Sequence, residues 1–251
     1  MISLVELVNT LDQLLNPSLF SDHGPNGLQV EGVEKVKKVA FAVSATEETI
    51  RQCIEAKANA LVVHHGLFWQ RDPYEIVGAK KRKLQLLLNN DISLLAYHLP
   101  LDAHPEYGNN WKAATDMGWK ELKPFGKLNN TYIGVKGVFV EKDFELFKRE
   151  LESYYGHPAI FALGGKRRVK SAALISGGAY KELINAAKEG VDCFITGNFD
   201  EPAWGWAFEE KINFIAMGHS ATERVGVKAL KDYLAKTMGI ECLFLDIPNP
   251  F

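Results

Sequence analysis

Cysteine is scarce in this chain of 251 residues: Cys53, Cys193 and Cys242 are far apart and odd in number. No disulfide framework follows from them, and they read as reduced core or near-core residues of a cytoplasmic protein. A run of roughly 20 apolar residues, the length needed to span a membrane, is missing. The N-terminus Met1-Ile2-Ser3-Leu4-Val5-Glu6 lacks the basic region of a signal peptide and reads as the start of a helix. Neither sign of charge dominates: a formal net charge of -2 with 24% charged residues does not suit a dedicated DNA-binding module. A GxxxxGK[ST] phosphate loop is also lacking. The glycine pairs are Gly164-Gly165 and Gly177-Gly178, the second at a strand-to-helix turn that could cradle phosphate or simply be tight.

What is present is alternation. Apolar residues at helical spacing predict helices over 3–16 (ended by Pro17), 47–58, 80–90, 109–117, 141–154, 179–189, 202–210 and 221–237. Apolar runs of the buried kind predict strands over 39–43, 61–63, 92–97, 132–140, 160–163, 172–175, 192–196, 212–217 and 242–245. Asp22 to Gly27 reads as an ordered surface loop, and a composition shift near Pro124 to Asn130 marks a boundary. Strands alternating with helices predict an α/β architecture of helix-covered sheets.

Residues 38–66 align without a gap on residues 170–198, each stretch reading as strand, Ser-containing turn, helix and second strand. The chain therefore reads as two related, duplicated halves, of which the first alone carries His64-His65 where the second has Thr196-Gly197.

That histidine pair directly follows the apolar run Ala60-Leu61-Val62-Val63 and precedes Gly66. Two more strand ends are rich in metal-ligand chemistry. One is Tyr97-His98-Leu99-Pro100-Leu101-Asp102, where Pro100 favours a loop over a helix; the other is Gly218-His219-Ser220-Ala221-Thr222-Glu223. In open α/β sheets distant residues converge along the C-terminal strand edge. A helix starting near His219 places Glu223 one turn behind it, and a chain turning at Gly66 can aim two adjacent imidazoles at two ions. Imidazoles with carboxylates suit zinc, iron, nickel or manganese, and carboxylates can bridge two cations. Singly, each histidine could instead be a hydrogen-bonded core or loop residue, and Asp102 and Glu223 could be a cap and a solvated acid.

Together, Asn26-Gly27-Leu28-Gln29-Val30, Val63-His64-His65-Gly66, His98-Leu99-Pro100-Leu101-Asp102, Gly108-Asn109, Thr196-Gly197, Gly218-His219 and Thr222-Glu223 resemble the dinuclear metal-centre proteins of the NGG1-interacting factor 3 (NIF3) type, labelled GTP cyclohydrolase 1 type 2 homologues in bacteria. The resemblance spans nearly the whole chain. It implies two interlocked α/β lobes, 1–126 with 219–251 holding the metals and 127–218 forming the second. It implies two divalent metal ions per subunit, one on His64 and Asp102, the other on His65 and His219, with Glu223 shared, and with His98 lining the site as a catalytic water-positioning or proton-relaying group.

The resemblance also implies a homohexameric toroid, a trimer of dimers, and metal-dependent hydrolysis with GTP ring opening as the named activity. Alternatives are a metallophosphoesterase acting on a small substrate, or a non-catalytic toroidal interaction protein. Nucleic-acid association has only the short basic runs Lys80-Lys81-Arg82-Lys83 and Lys166-Arg167-Arg168 with Lys170 behind it. Trp204, Trp206 and Phe208 offer either an oligomer surface or a core-facing helix.

Overall fold

The computed structural model describes residues 1–250. They form two compact units, one of Met1–Leu101 with Val227–Pro248, the other chiefly of Asp102–Gly226. Among the described residues no helix is long and apolar enough to cross a membrane.

The first unit opens with β1 (Ile2–Ser3) and α1 (Leu4–Leu15). Ser3 caps α1 by accepting the Glu6 N–H, and Leu4, Leu7, Leu11 and Leu15 form its buried stripe. Burying each leucine contributes about 1.5–3 kcal/mol. Then come β2 (Gly27–Val30), β3 (Lys35–Val36), β4 (Lys38–Ser44), α2 (Glu47–Glu55), β5 (Ala60–His65), α3 (Gly78–Asn89), β6 (Ser93–Ala96) and α4 (Leu99–Ala103), whose last two residues fall in the second unit. Sequence spacing predicts a loop at His98–Asp102, but Pro100 sits in the first turn of α4, where the N–H it lacks has no helical partner to lose.

The second unit holds α5 (Asn109–Asp116), β7 (Lys120–Leu128), β8 (Thr131–Asp143), α6 (Phe144–Tyr155), β9 (Ile160–Leu163), β10 (Arg168–Leu174), α7 (Leu183–Lys188), β11 (Cys193–Thr196), α8 (Glu201–Glu209) and β12 (Asn213–Ala216). The long helix α9 (His219–Met238) is divided between the units, and β13 (Glu241–Phe244) ends the first. The sequence does not announce β7, because Pro124 lies in it; β7 is an edge strand, where a missing N–H costs no ladder bond. Strand β8 runs on to Asp143, whose side chain then caps α6, so that helix starts later than its apolar spacing predicts.

The sheets run β13-β4-β5-β6-β2 and β7-β8-β10-β11-β12-β9. Under the gapless alignment of 38–66 on 170–198 the parallel registers coincide residue for residue. Ala40, Phe41 and Ala42 pair with Leu61, Val62 and Val63; their counterparts Ala172, Ala173 and Leu174 pair with Cys193, Phe194 and Ile195. The likeness extends past the alignment, since β2 closes one sheet antiparallel to β6 and β9 lies antiparallel to β12 in the other. The two units thus share one register across four strands, as the gapless alignment predicts. On α8, helical spacing splits the aromatic cluster: Trp206 packs on the core, while Trp204 and Phe208 are exposed.

Candidate metal centre

In the first unit the parallel strands β4, β5 and β6 end together, and the imidazoles gather at that edge. His64 is fully buried and His65 and His98 half-buried. Ring centroids lie 4.7 Å apart for His64–His65, 4.9 Å for His64–His98 and 5.6 Å for His65–His98. One ring nitrogen from each falls within 4.8 Å of the others, close enough to hold an ion. Neighbours on a regular strand point to opposite faces; here the strand ends at His65, and the chain leaves through Gly66. A Cβ at Gly66 would collide with the Gln29 side-chain amide, whose Oε1 accepts the Leu67 N–H at 2.8 Å. The Asn26–Val30 stretch thus pins the turn behind the pair.

Each imidazole is held through Nδ1. The Tyr97 carbonyl takes His64 Nδ1 at 3.0 Å, and because a carbonyl only accepts, that nitrogen carries the proton and Nε2 carries the lone pair that a cation could use. Asp22 Oδ1 takes His98 Nδ1 at 2.7 Å. Ser44 Oγ lies 2.9 Å from His65 Nδ1. Anchoring one ring nitrogen on an oxygen fixes the ring's orientation for ligation by the other, and an oxygen that only accepts fixes the tautomer as well.

Asp22 is the member of this cluster that the sequence reading does not single out. It belongs to an expected surface loop, yet it is buried and also receives the N–H groups of His23 and Leu99 and the Asn26 amide. Burial alone would raise its carboxyl; the hydrogen bond and charge of His98, with the Asn26 and Leu99 donors, outweigh that and hold it at about 2. A depressed carboxyl stabilises the fold fully above its ordinary value of about 4, and the contribution fades as pH falls through 4 towards 2. Asp22→Asn is therefore expected to cost about 2 kcal/mol near neutrality, with the gap to the parent shrinking by pH 3. Urea unfolding across that range measures it, and a gap independent of pH would discard the charge argument. Beside this dyad, a cleft of about 630 Å³ is lined by Phe20, Asp22, Asn26, Phe68, Trp69 and Gln70, and Trp69 stands edge-on to His98 at 5.2 Å.

The second unit carries the acids. Asp102, 6% exposed, accepts the Asn109 amide and the Ser176 hydroxyl on the same oxygen, Oδ1, each at 2.8 Å. Asn109 in turn accepts the Gly226 N–H, and Asn110 accepts that of Ser176, so Gly108-Asn109-Asn110 serves to brace Asp102. His219 opens α9, as its spacing predicts. Its Nε2 meets Glu223 Oε1 one turn on at 3.1 Å, and its Nδ1 is anchored on Asn198 Oδ1 at 3.0 Å. Glu223 is 2% exposed. Gly177 answers the question of its turn: with φ +67°, it is where a Cβ would run into the Glu223 carboxylate. The glycine makes room for an acid.

Imidazoles held through Nδ1 in the first unit, and buried, braced carboxylates in the second, are donors of the kinds that borderline divalent cations take. The family model described as Duf34/NIF3 (NGG1p interacting factor 3) matches residues 2–250. A Chlamydia muridarum protein named GTP cyclohydrolase 1 type 2 homolog is 53% identical over 99% of this chain and 100% of its own length. A Pseudomonas aeruginosa protein of the same name is 42% identical over 99% of each. Among solved structures, TTHA1606 from Thermus thermophilus superposes with a TM-score of 0.92 at 36% identity, covering 100% of both chains. Matched from end to end by the family model, and sharing its length and fold with these relatives, the chain belongs to the Duf34/NIF3 family.

Proposed function

We propose that this protein is a hydrolase dependent on two divalent metal ions, with His64, His65, Asp102, His219 and Glu223 as ligands and His98 as the catalytic group. The observation that carries the reading is the common anchoring of His64, His65, His98 and His219 through Nδ1, which orients Nε2 for ligation or proton transfer. When bound, the ions supply Lewis-acid polarisation and a water that ionises near neutrality. His64 and His65 bind and orient through Nε2. His98, its Nδ1 proton held by Asp22, accepts and returns a proton at Nε2. The cleft walled by Phe20, Phe68 and Trp69 suits a flat ring, and the names of the relatives point to GTP, with purine ring opening as the reaction.

The proposal extends to a cytoplasmic homohexameric toroid, for which exposed Val140, Ile160, Trp204 and Phe208 provide apolar contact surface. Nucleic-acid association keeps weak support: within the short basic runs Arg82 pairs with Glu47, Lys166 with Asp192 and Arg168 with Glu141.

The test is elemental analysis of gently purified protein, then turnover of GTP and a panel of phosphoesters with the metal restored. His98→Ala is expected to retain metal and lose turnover by about 100-fold or more, the usual contribution of a positioned acid–base group. Turnover of phosphoesters with GTP untouched would overturn the substrate and keep the hydrolase. A protein that binds no metal would overturn both.

A further inference from the structure

The duplication exchanged nearly everything at the strand ends and kept one group. His64 and His65 align with Thr196 and Gly197, but Ser44 aligns with Ser176, each two residues beyond the last register-matched pair of its own first parallel strand, Ala42 and Leu174. Each serine reaches a different member of the proposed ligand set. Ser44, the cross-strand partner of His65, places Oγ 2.9 Å from its Nδ1. Ser176, 6% exposed, donates from Oγ to Asp102 Oδ1 at 2.8 Å.

We infer that Ser44 and Ser176 are a duplicated pair of positioning residues, one for each metal ion. The inference rests on the dinuclear reading above. A hydroxyl is the side-chain group suited to both places, because it accepts from an imidazole N–H and donates to a carboxylate with equal ease. Ser44 accepts the Nδ1 proton of His65 and directs Nε2 to one ion. Ser176 donates to one oxygen of Asp102, together with Asn109, and directs the other oxygen to the second ion. The same residue could therefore survive at both strand ends while the ligand it serves changed from a neutral donor to an anionic acceptor. Neither serine touches a reacting atom.

Titration of the metal-free full-length protein with Co(II), read by visible absorption and by chelator competition, tests this. The parent is expected to take two ions in distinguishable steps. Ser44→Ala is expected to weaken one step by about 10- to 100-fold and Ser176→Ala the other by a similar factor, the usual effect of losing a residue that orients a ligand. The cobalt spectrum should change only for the weakened step, a response that a general loss of packing would not give. Ser44→Thr and Ser176→Thr keep the hydroxyl and should restore most of the affinity, even if an alanine variant folds poorly. A parent that binds two ions with all four variants unchanged would overturn the serine inference alone. Equal weakening of both steps in each alanine variant would overturn the assignment of one serine per ion. A parent that binds no cobalt would overturn this inference and the dinuclear reading together.

Discussion

His65→Ala is expected to purify with about half the parent's metal and to bind the ion that His65 serves about 100-fold or more weakly. Zinc held by four protein ligands is worth roughly 10–16 kcal/mol, so one imidazole among them carries about 3 kcal/mol, which is somewhat over 100-fold in affinity. The choice of His65 over its neighbour matters. His64 is completely buried, and truncating it opens a cavity whose cost would be confused with metal loss. His65 is half-buried, so its removal isolates ligation. Elemental analysis and Co(II) titration measure the effect, with unfolding of the metal-free form as the control. Metal content equal to the parent's would remove His65 from the ligand set. Retention of both ions by His98→Ala in the same experiment would separate ligand from proton carrier.

The second large effect is at Gly177. Gly177→Ala meets two penalties: a left-handed backbone, costing about 1–2 kcal/mol for a residue with a Cβ, and a methyl group placed against the buried Glu223 carboxylate. Gly156 separates them, since its φ of +63° is nearly that of Gly177 at +67° and nothing lies within 4 Å of a Cβ there. Gly156→Ala is expected to lose about 1 kcal/mol and Gly177→Ala about 3 kcal/mol, with overpacking adding the difference. At about 2–4 °C per kcal/mol, the melting points should fall by about 3 °C and about 9 °C respectively. Only Gly177→Ala should also weaken metal binding, by displacing Glu223. Equal losses in the two variants would mean that the backbone angle alone requires glycine at Gly177.

Much of this was legible in the chain. His64-His65 announces itself because an apolar strand leads straight into it, and His219 with Glu223 because helical spacing is a local property. The repeat could be read because buried strands and their crossover keep a pattern when identity fades. Asp22 could not be found this way: its neighbours are turn formers, and burial in a loop depends on His98, which is distant in sequence. Strand β7 was hidden by Pro124, whose tolerance depends on an edge position no local window reveals. Gly177 reads as a turn until Glu223 is seen beside it.

The Nδ1 anchors have a thermodynamic consequence. Fixing a side chain costs rotamer freedom, up to about 2 kcal/mol for the most flexible types. With His64, His65 and His219 already tied to Tyr97, Ser44 and Asn198, that entropy is lost on folding, before any cation arrives. Ions then meet rings that need no further ordering, and the free energy they release flows back into the native state by mass action. Metal supply and conformational stability become a single linked quantity, so a shortage of cation would be felt first as a softer protein.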